Sequence, residues 1–208
     1  MADIIREDDS GVYRVVRVIT TIWLHVIMPV QYHHPERLKG ETPFVVIANH
    51  QHALDPFVLA YPVPSQCVFL GKKELAKNKL MAKFLYNMHC IPVDRHNGDM
   101  EAMRACMKTL RNKKALVIFP EGTRHHEGQM EQIESGTALI VMRGKVPLIP
   151  VYLDRKLRLF RRTHAWVGEP IFYDDLLAEG VNNETCEKLN ERMRETFRKM
   201  IREGERKA

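Results

Sequence analysis

The chain is 208 residues long, 45% hydrophobic and 28% charged, enough for one domain, alone or with an arm, around a substantial core. It carries 32 Lys and Arg against 26 Asp and Glu, a net charge of +6 and a pI near 9.2, so anionic partners are favoured: nucleic acid, anionic lipid and acidic carrier proteins all fit. Internal repeats and low-complexity linkers are excluded, and Cys67, Cys90, Cys106 and Cys186, at no paired metal or redox spacing, read as reduced, mostly buried thiols in a cytosolic setting.

The first residues carry Asp3, Glu7, Asp8 and Asp9 where a signal peptide would be positive, so no secretory signal is expected. Between Val12 and Tyr32 lies the most apolar run, Val18 to Met28, and Pro29 stops it short of the roughly 18 to 20 residues that span a bilayer. With Arg14 and Arg17 placed to meet lipid phosphates and Trp23 and Tyr32 at headgroup depth, the pattern predicts an amphipathic helix in a membrane interface. A helix packed on the core fits the same pattern. Residues 1–39 are expected to form an arm and 40–208 the domain, joined by a connector over Tyr32–Thr42 that contains Pro35 and Gly40.

Phe44 to Ala48 is a short, β-branched run that predicts a buried strand, with His50 at its carboxyl end. Asp55-Pro56 then reads as a helix start, aspartate as N-cap and proline at the first helical position, for a helix to about Tyr61. Two readings of His50 and Asp55 stand side by side. Either Asp55 is a cap beside a polar loop histidine, or it accepts a hydrogen bond from one ring nitrogen and leaves the other as a general base.

Cys67 to Gly71 predicts a second strand, opening into Lys72-Lys73-Glu74. Residues 75–88 read as a helix. A short strand over Cys90–Val93 delivers Asp94-Arg95, and Met103, Cys106, Met107 and Leu110 form a helical stripe within Met100–Asn112. The strand Ala115–Phe119 runs into Pro120-Glu121-Gly122-Thr123-Arg124. A helix over about Ile133–Arg143, strands at Leu148–Leu153 and Thr163–Pro170, and an amphipathic helix over Glu184–Glu205 with Leu189, Met193, Phe197 and Met200 on one face complete the chain. The repeated strand–helix order predicts an α/β fold, with a mostly parallel or mixed central sheet flanked by helices on both faces and the N-terminal amphipathic helix beside it.

In such a sheet the strand carboxyl ends share one rim, and that edge is where ligands bind. Here the rim would gather His50 and Asp55, Lys72 and Lys73, Arg95, and Glu121 with Arg124. A base, carboxylates and several cations suit an anionic substrate whose hydroxyl is to be activated.

These stretches resemble the glycerolipid acyltransferases, most closely the 1-acyl-glycerol-3-phosphate acyltransferases. Asn49-His50-Gln51-His52-Ala53-Leu54-Asp55 looks like the family's His-x4-Asp motif, and Gly71-Lys72-Lys73-Glu74-Leu75 with Val93-Asp94-Arg95 resembles its second block. Phe119-Pro120-Glu121-Gly122-Thr123-Arg124 matches the third, and Val146-Pro147-Leu148-Ile149-Pro150-Val151 the fourth, over roughly residues 40 to 155.

The resemblance implies transfer of an acyl chain from a coenzyme A or acyl-carrier-protein thioester to the free hydroxyl of a lysophospholipid. The typical acceptor is lysophosphatidic acid, which gives phosphatidic acid for phospholipid biosynthesis. Glycerol-3-phosphate or another lysophospholipid is the alternative acceptor, and a non-catalytic peripheral membrane or carrier-binding protein is the alternative class. His50 would take the hydroxyl proton and Asp55 hold the imidazole, with no Gly-x-Ser-x-Gly elbow to suggest a protein nucleophile. Arg124 and the Gly122 backbone, with Thr123 in the same block, would receive the substrate phosphate. Arg95, Lys73 and Lys72 would add cations, and Glu121 would orient Arg95 or a substrate hydroxyl.

One departure is Ile133-Glu134-Ser135-Gly136, an acid where many relatives carry a basic block. No cofactor and no metal are expected, although His52, His125 and His126 stand near His50 in sequence. The basic run Arg155-Lys156-Leu157-Arg158-Leu159-Phe160-Arg161-Arg162 and the row Arg194, Arg198 and Arg202 could meet an anionic membrane or an acidic carrier, or form a solvated face. No nucleic-acid motif accompanies the charge. The expected place is peripheral, on the cytoplasmic face of the cell membrane.

Overall fold

The structure, a computed structural model, describes residues 10–94, 99–123 and 130–206. Seven strands, β1 (Val30–His33), β2 (Val45–Ala48), β3 (Cys67–Lys72), β4 (Cys90–Val93), β5 (Ala115–Ile118), β6 (Leu148–Leu153) and β7 (Thr163–Val167), form one sheet in the order β1-β7-β6-β2-β5-β3-β4. Neighbouring strands are parallel except β6 and β7, which are antiparallel. The helices are α1 (Gly11–Val26), α2 (Asp55–Ala60), α3 (Lys79–Asn87), α4 (Met100–Arg111), α5 (Ser135–Gly144), α6 (Asp174–Ala178) and α7 (Asn183–Glu205).

Every residue of β2 and β5 is buried, which explains why these strands read as unbroken apolar runs. The period of two sends alternate residues to opposite faces. Val45, Ile47, Leu116 and Ile118 join a core layer with residues of α4, α5 and α7, among them Cys106, Val141 and Phe197. Val46, Ala48, Ala115 and Val117 join the other layer with Tyr13 and Leu24 of α1 and Val58 and Leu59 of α2. The expected α/β architecture is therefore the observed one.

Three local expectations are corrected. The connector at Tyr32 holds the edge strand β1, which pairs with β7 in the register Tyr32↔Ala165. Its partner lies more than a hundred residues away, so no local pattern announces it. Leu38, in a 3-10 turn over Pro35–Leu38, is 1% exposed, so the last part of the expected arm belongs to the core. Residues 75–88 are not one helix: a 3-10 segment over Lys73–Lys77 ends at Asn78, whose side chain accepts from the Leu80 and Met81 amides and starts α3.

α1 unites the two readings of its sequence. One face is docked: Tyr13 and Leu24 are buried, the Cys67 amide donates to the Tyr13 hydroxyl at 3.2 Å, and Arg17 donates to the carbonyls of Tyr61 and Val63 at 3.3 and 2.7 Å. The opposite face presents Val15, Ile19, Ile22 and Val26 to the outside, each more than half exposed. Two of the residues expected at the lipid boundary are elsewhere. Arg17 is committed to backbone carbonyls, and Tyr32 lies within the sheet, its hydroxyl donating to the Val58 carbonyl and its pKa pushed up by burial. No described helix is long and apolar enough to cross a membrane.

α7 begins with a capping box in which the Asn182 side chain accepts from the Thr185 amide and the Thr185 hydroxyl accepts from the Asn182 amide. Asn182→Ala is expected to cost about 1 kcal/mol, read as a fall in thermal midpoint of roughly 2 to 4 °C with activity unchanged. An unaltered melting curve would mean that the helix is held by packing alone.

Candidate active site

The loop after β2 is clamped before any chemistry is considered. The Asn49 side chain is buried and bonds both ways to the end of β6, donating to the Leu153 carbonyl at 2.9 Å and accepting from the Leu153 amide at 2.8 Å. Gln51 adds a donation to the same carbonyl at 3.2 Å. Neither amide has an assigned role in the sequence pattern. The signal was Asn49 itself, a buried polar residue directly after an apolar strand, which requires partners.

Within this loop the His50 Nδ1–H donates to Asp55 Oδ2 at 2.9 Å. The same oxygen accepts from the amides of Gln51 and His52, each at 2.7 Å. Asp55 is 1% exposed, and its Oδ1 has no hydrogen-bond partner among the described residues. The expectation of Asp55 as N-cap is corrected: Leu54 is the cap residue, Asp55 is the first residue of α2, and its carboxylate turns back into the loop. Three donors concentrated on one carboxylate oxygen outweigh the single bond that capping would provide. With Nδ1 carrying the proton, the neutral ring has its lone pair on Nε2. The imidazole stacks on Phe119, ring centroids 4.1 Å apart, which supports this orientation of the ring.

The parallel strands β2, β5, β3 and β4 bring their carboxyl ends to one rim, as expected from the strand pattern. β5 delivers Glu121, which is buried, with one carboxylate oxygen accepting from the His50 amide and the other from the Met130 amide, each at 3.2 Å. The residue expected to orient Arg95 or a hydroxyl thus also ties the histidine loop to the far end of the segment that follows it. Gly122 turns the chain at φ +69°, its amide donating to the Phe119 carbonyl at 3.0 Å, a left-handed position natural for glycine. Thr123 beside it is exposed. Arg95 and Arg124 lie outside the described residues, as do His125 and His126.

β3 ends in Lys72, half-buried, followed by exposed Lys73. Gly71 has a packing reason to be glycine, since a Cβ there would stand 2.6 Å from Cys90 Sγ on β4. Beside Lys72 opens a cleft of about 340 Å³ lined largely by Ala76, Ala82, Leu85, Tyr86, Cys90 and Pro92.

A histidine oriented by a carboxylate, on the rim of a parallel sheet and next to a glycine turn, is a geometry for activating a hydroxyl. Comparison with known proteins decides the family. The Acyltransferase family model matches residues 29–154. The chain belongs to that family. It is 29% identical over 180 residues to the 1-acyl-sn-glycerol-3-phosphate acyltransferase of Bacillus subtilis, covering 82% of this chain and 89% of the relative. Against the enzyme of the same name from Streptococcus pneumoniae it is 26% identical over 206 residues, covering 95% and 76%. The crystal structure of the 1-acyl-sn-glycerophosphate acyltransferase of Thermotoga maritima shares the fold, with a TM-score of 0.68 at 22% identity over 93% of this chain and 78% of that one.

Other features of this acyltransferase refine the sequence reading. The acid that replaces the family's basic block, Glu134, stands at the N-terminus of α5, where the helix dipole favours negative charge. All four cysteines are free, and burial pushes the thiols of Cys67, Cys90 and Cys106 up to about 12, which leaves them inert. Among the described residues no group of three His, Cys, Asp or Glu side chains could hold a metal ion. The basic row on α7 is largely neutralised, Arg194 by Glu187 and Glu191 and Arg198 by Glu131 and Glu191, so the solvated-face reading holds there.

Proposed function

We propose that this acyltransferase moves a fatty acyl chain from a coenzyme A or acyl-carrier-protein thioester to the free hydroxyl of lysophosphatidic acid, giving phosphatidic acid. The observation that carries the proposal is the His50 ring held at Nδ1 by Asp55, 2.9 Å away, at the rim of a family-matched sheet. His50 Nε2 takes the hydroxyl proton as the oxygen attacks the thioester carbonyl. The C–O bond forms, the C–S bond breaks, and the imidazolium returns its proton to the leaving thiolate. Asp55 acts through His50, stabilising the charged ring as it forms.

Lys72, Lys73, Arg95 and Arg124, with Thr123, receive the phosphate of the acceptor at the turn that Gly122 shapes, the Gly122 amide itself being bonded to the Phe119 carbonyl, and Glu121 holds the His50 backbone in place. No cofactor or metal takes part. The apolar cleft beside Lys72 suits an aliphatic chain. The outward face of α1 lies in the membrane interface, supported by its row of exposed aliphatic side chains, so the enzyme works as a peripheral protein. Its buried, free thiols accord with the reducing cytoplasmic face.

Thiol release measured with two donors, acyl-CoA and acyl-acyl-carrier protein, against a panel of acceptors tests this reading. Lysophosphatidic acid is expected to support the fastest release with at least one donor, and phosphatidic acid to appear in equal amount. Faster release with glycerol-3-phosphate or a head-group lysophospholipid would reassign the acceptor. Vesicle binding without release from any pair would make the protein a non-catalytic binder.

A further inference from the structure

The segment between β6 and β7 doubles back on itself, Arg158 and Arg161 forming an antiparallel bridge with Leu159 and Phe160 at the tip. These two apolar side chains are 57% and 75% exposed. Phe160 also has φ +55°, a left-handed conformation that asparagine or glycine adopts readily and an aromatic residue does not. The turn is nevertheless fixed. The Phe160 amide donates to the Ile27 carbonyl at the end of α1 at 2.7 Å, and Leu157 is buried in the core layer that holds Tyr13 and Leu24. A position that breaks two local rules, backbone and burial, and is held there by the rest of the fold invites a partner outside the molecule.

The charge around the tip indicates which partner. Arg155, Lys156, Arg158, Arg161 and Arg162 are all exposed. Arg155 contacts Asp154 at 2.8 Å and Arg162 contacts Gln31 at 3.5 Å. The side chains of Lys156, Arg158 and Arg161 make no hydrogen bond or ion pair among the described residues. This contrasts with Arg192, Arg194 and Arg198 of α7, which are matched by acids. Because the Phe160 amide is bonded to the C-cap residue Ile27, the tip stands at the end of the helix that carries the exposed aliphatic row of Val15, Ile19, Ile22 and Val26. The segment also starts at the catalytic rim, one residue beyond Leu153, which holds Asn49.

We infer that the 158–161 turn is a second docking point for an anionic lipid bilayer, Leu159 and Phe160 entering the acyl boundary and the flanking Lys156, Arg158 and Arg161 meeting lipid phosphates. An acidic protein surface would satisfy the arginines and leave the aliphatic row on α1 without a complement, whereas a bilayer takes both. Docking by α1 and the turn together sets the tilt of the sheet, so the rim carrying His50 lies at the level from which a lipid acceptor arrives. This rests on the proposed lipid substrate and lipid-facing α1.

The test is sedimentation of the full chain with phosphatidylcholine vesicles, with and without phosphatidylglycerol. Arg158→Gln with Arg161→Gln is expected to lower partition onto the anionic vesicles roughly 30-fold, at about fivefold per basic residue, and to leave neutral vesicles unaffected. Leu159→Ser with Phe160→Asn, which relieves the backbone, is expected to weaken both while the melting temperature holds or rises. Unchanged partition in both variants overturns the inference. So does unchanged partition with lost binding to an acyl-carrier protein, which would assign the arginines to the carrier. Thiol release with a short-chain, monomeric lysophosphatidic acid stays at the wild-type level in both variants. Its absence from the wild type would fail the acyl-transfer reading separately, with the vesicle result still standing on its own.

Discussion

His50→Ala is expected to lower the rate of thiol release at least about a hundredfold, within the usual range for a general base, with the melting temperature nearly unchanged. The imidazole is only 16% exposed, yet it contributes little that the fold requires. Its ring packs on Phe119, and the loop that carries it is held by Asn49, Gln51, Glu121 and Asp55 through contacts that survive truncation at Cβ. The loss should therefore fall on turnover while binding of lysophosphatidic acid is kept. Release within about tenfold of the wild type, in protein with an unaltered melt, would remove His50 from the mechanism.

Asp55→Ala should behave differently, losing activity and stability together. Its Oδ2 is the common acceptor for the His50 ring and for the amides of Gln51 and His52. Removing it leaves donors without partners, Gln51 buried among them, and a buried donor stranded in this way costs about 1 to 3 kcal/mol. A total near 2 kcal/mol corresponds to a fall in melting temperature of roughly 4 to 8 °C for a chain of this size. Activity is expected to drop at least about as far as in His50→Ala, because the ring loses both its tautomer and its orientation. An unchanged melt would mean that solvent replaces the carboxylate, and near-normal turnover would mean that His50 needs no carboxylate partner.

The sequence carried enough to gather the candidate residues at one rim of the sheet. Each of the strands β2, β3, β4 and β5 is a short apolar run leading into polar residues, and burial on both faces makes β2 and β5 legible without a partner in view. The spacing from His50 to Asp55 was likewise visible, because a loop of that length brings the two side chains together through local geometry. What it could not convey was how the loop is held. Glu121 reaches the His50 amide across 71 positions and Asn49 reaches Leu153 across 104. Contacts of that separation leave no periodic trace.

The arm shows the same division from the other side. The apolar run Val18 to Met28, with its flanking arginines and aromatics, marked an amphipathic helix within Val12–Tyr32, and it left open whether that helix would meet a membrane or pack on the core. Tertiary contacts answered by using both faces, with Tyr13, Arg17 and Leu24 on the sheet and Val15, Ile19 and Ile22 outside. β1 was missed because an edge strand of four residues is defined by its partner β7, and Asp55 was misplaced as a cap because the donors that recruited it lie upstream of its helix. By itself, then, the sequence determined the α/β class and the gathering of His50, Asp55, Lys72 and Glu121 at one rim, which follow from periodicity and short-range spacing, and it left two readings of the histidine–aspartate pair. Only the tertiary structure decided the sheet order, the clamps on the histidine loop and the exposure of the 158–161 turn, because each depends on which distant segment is near.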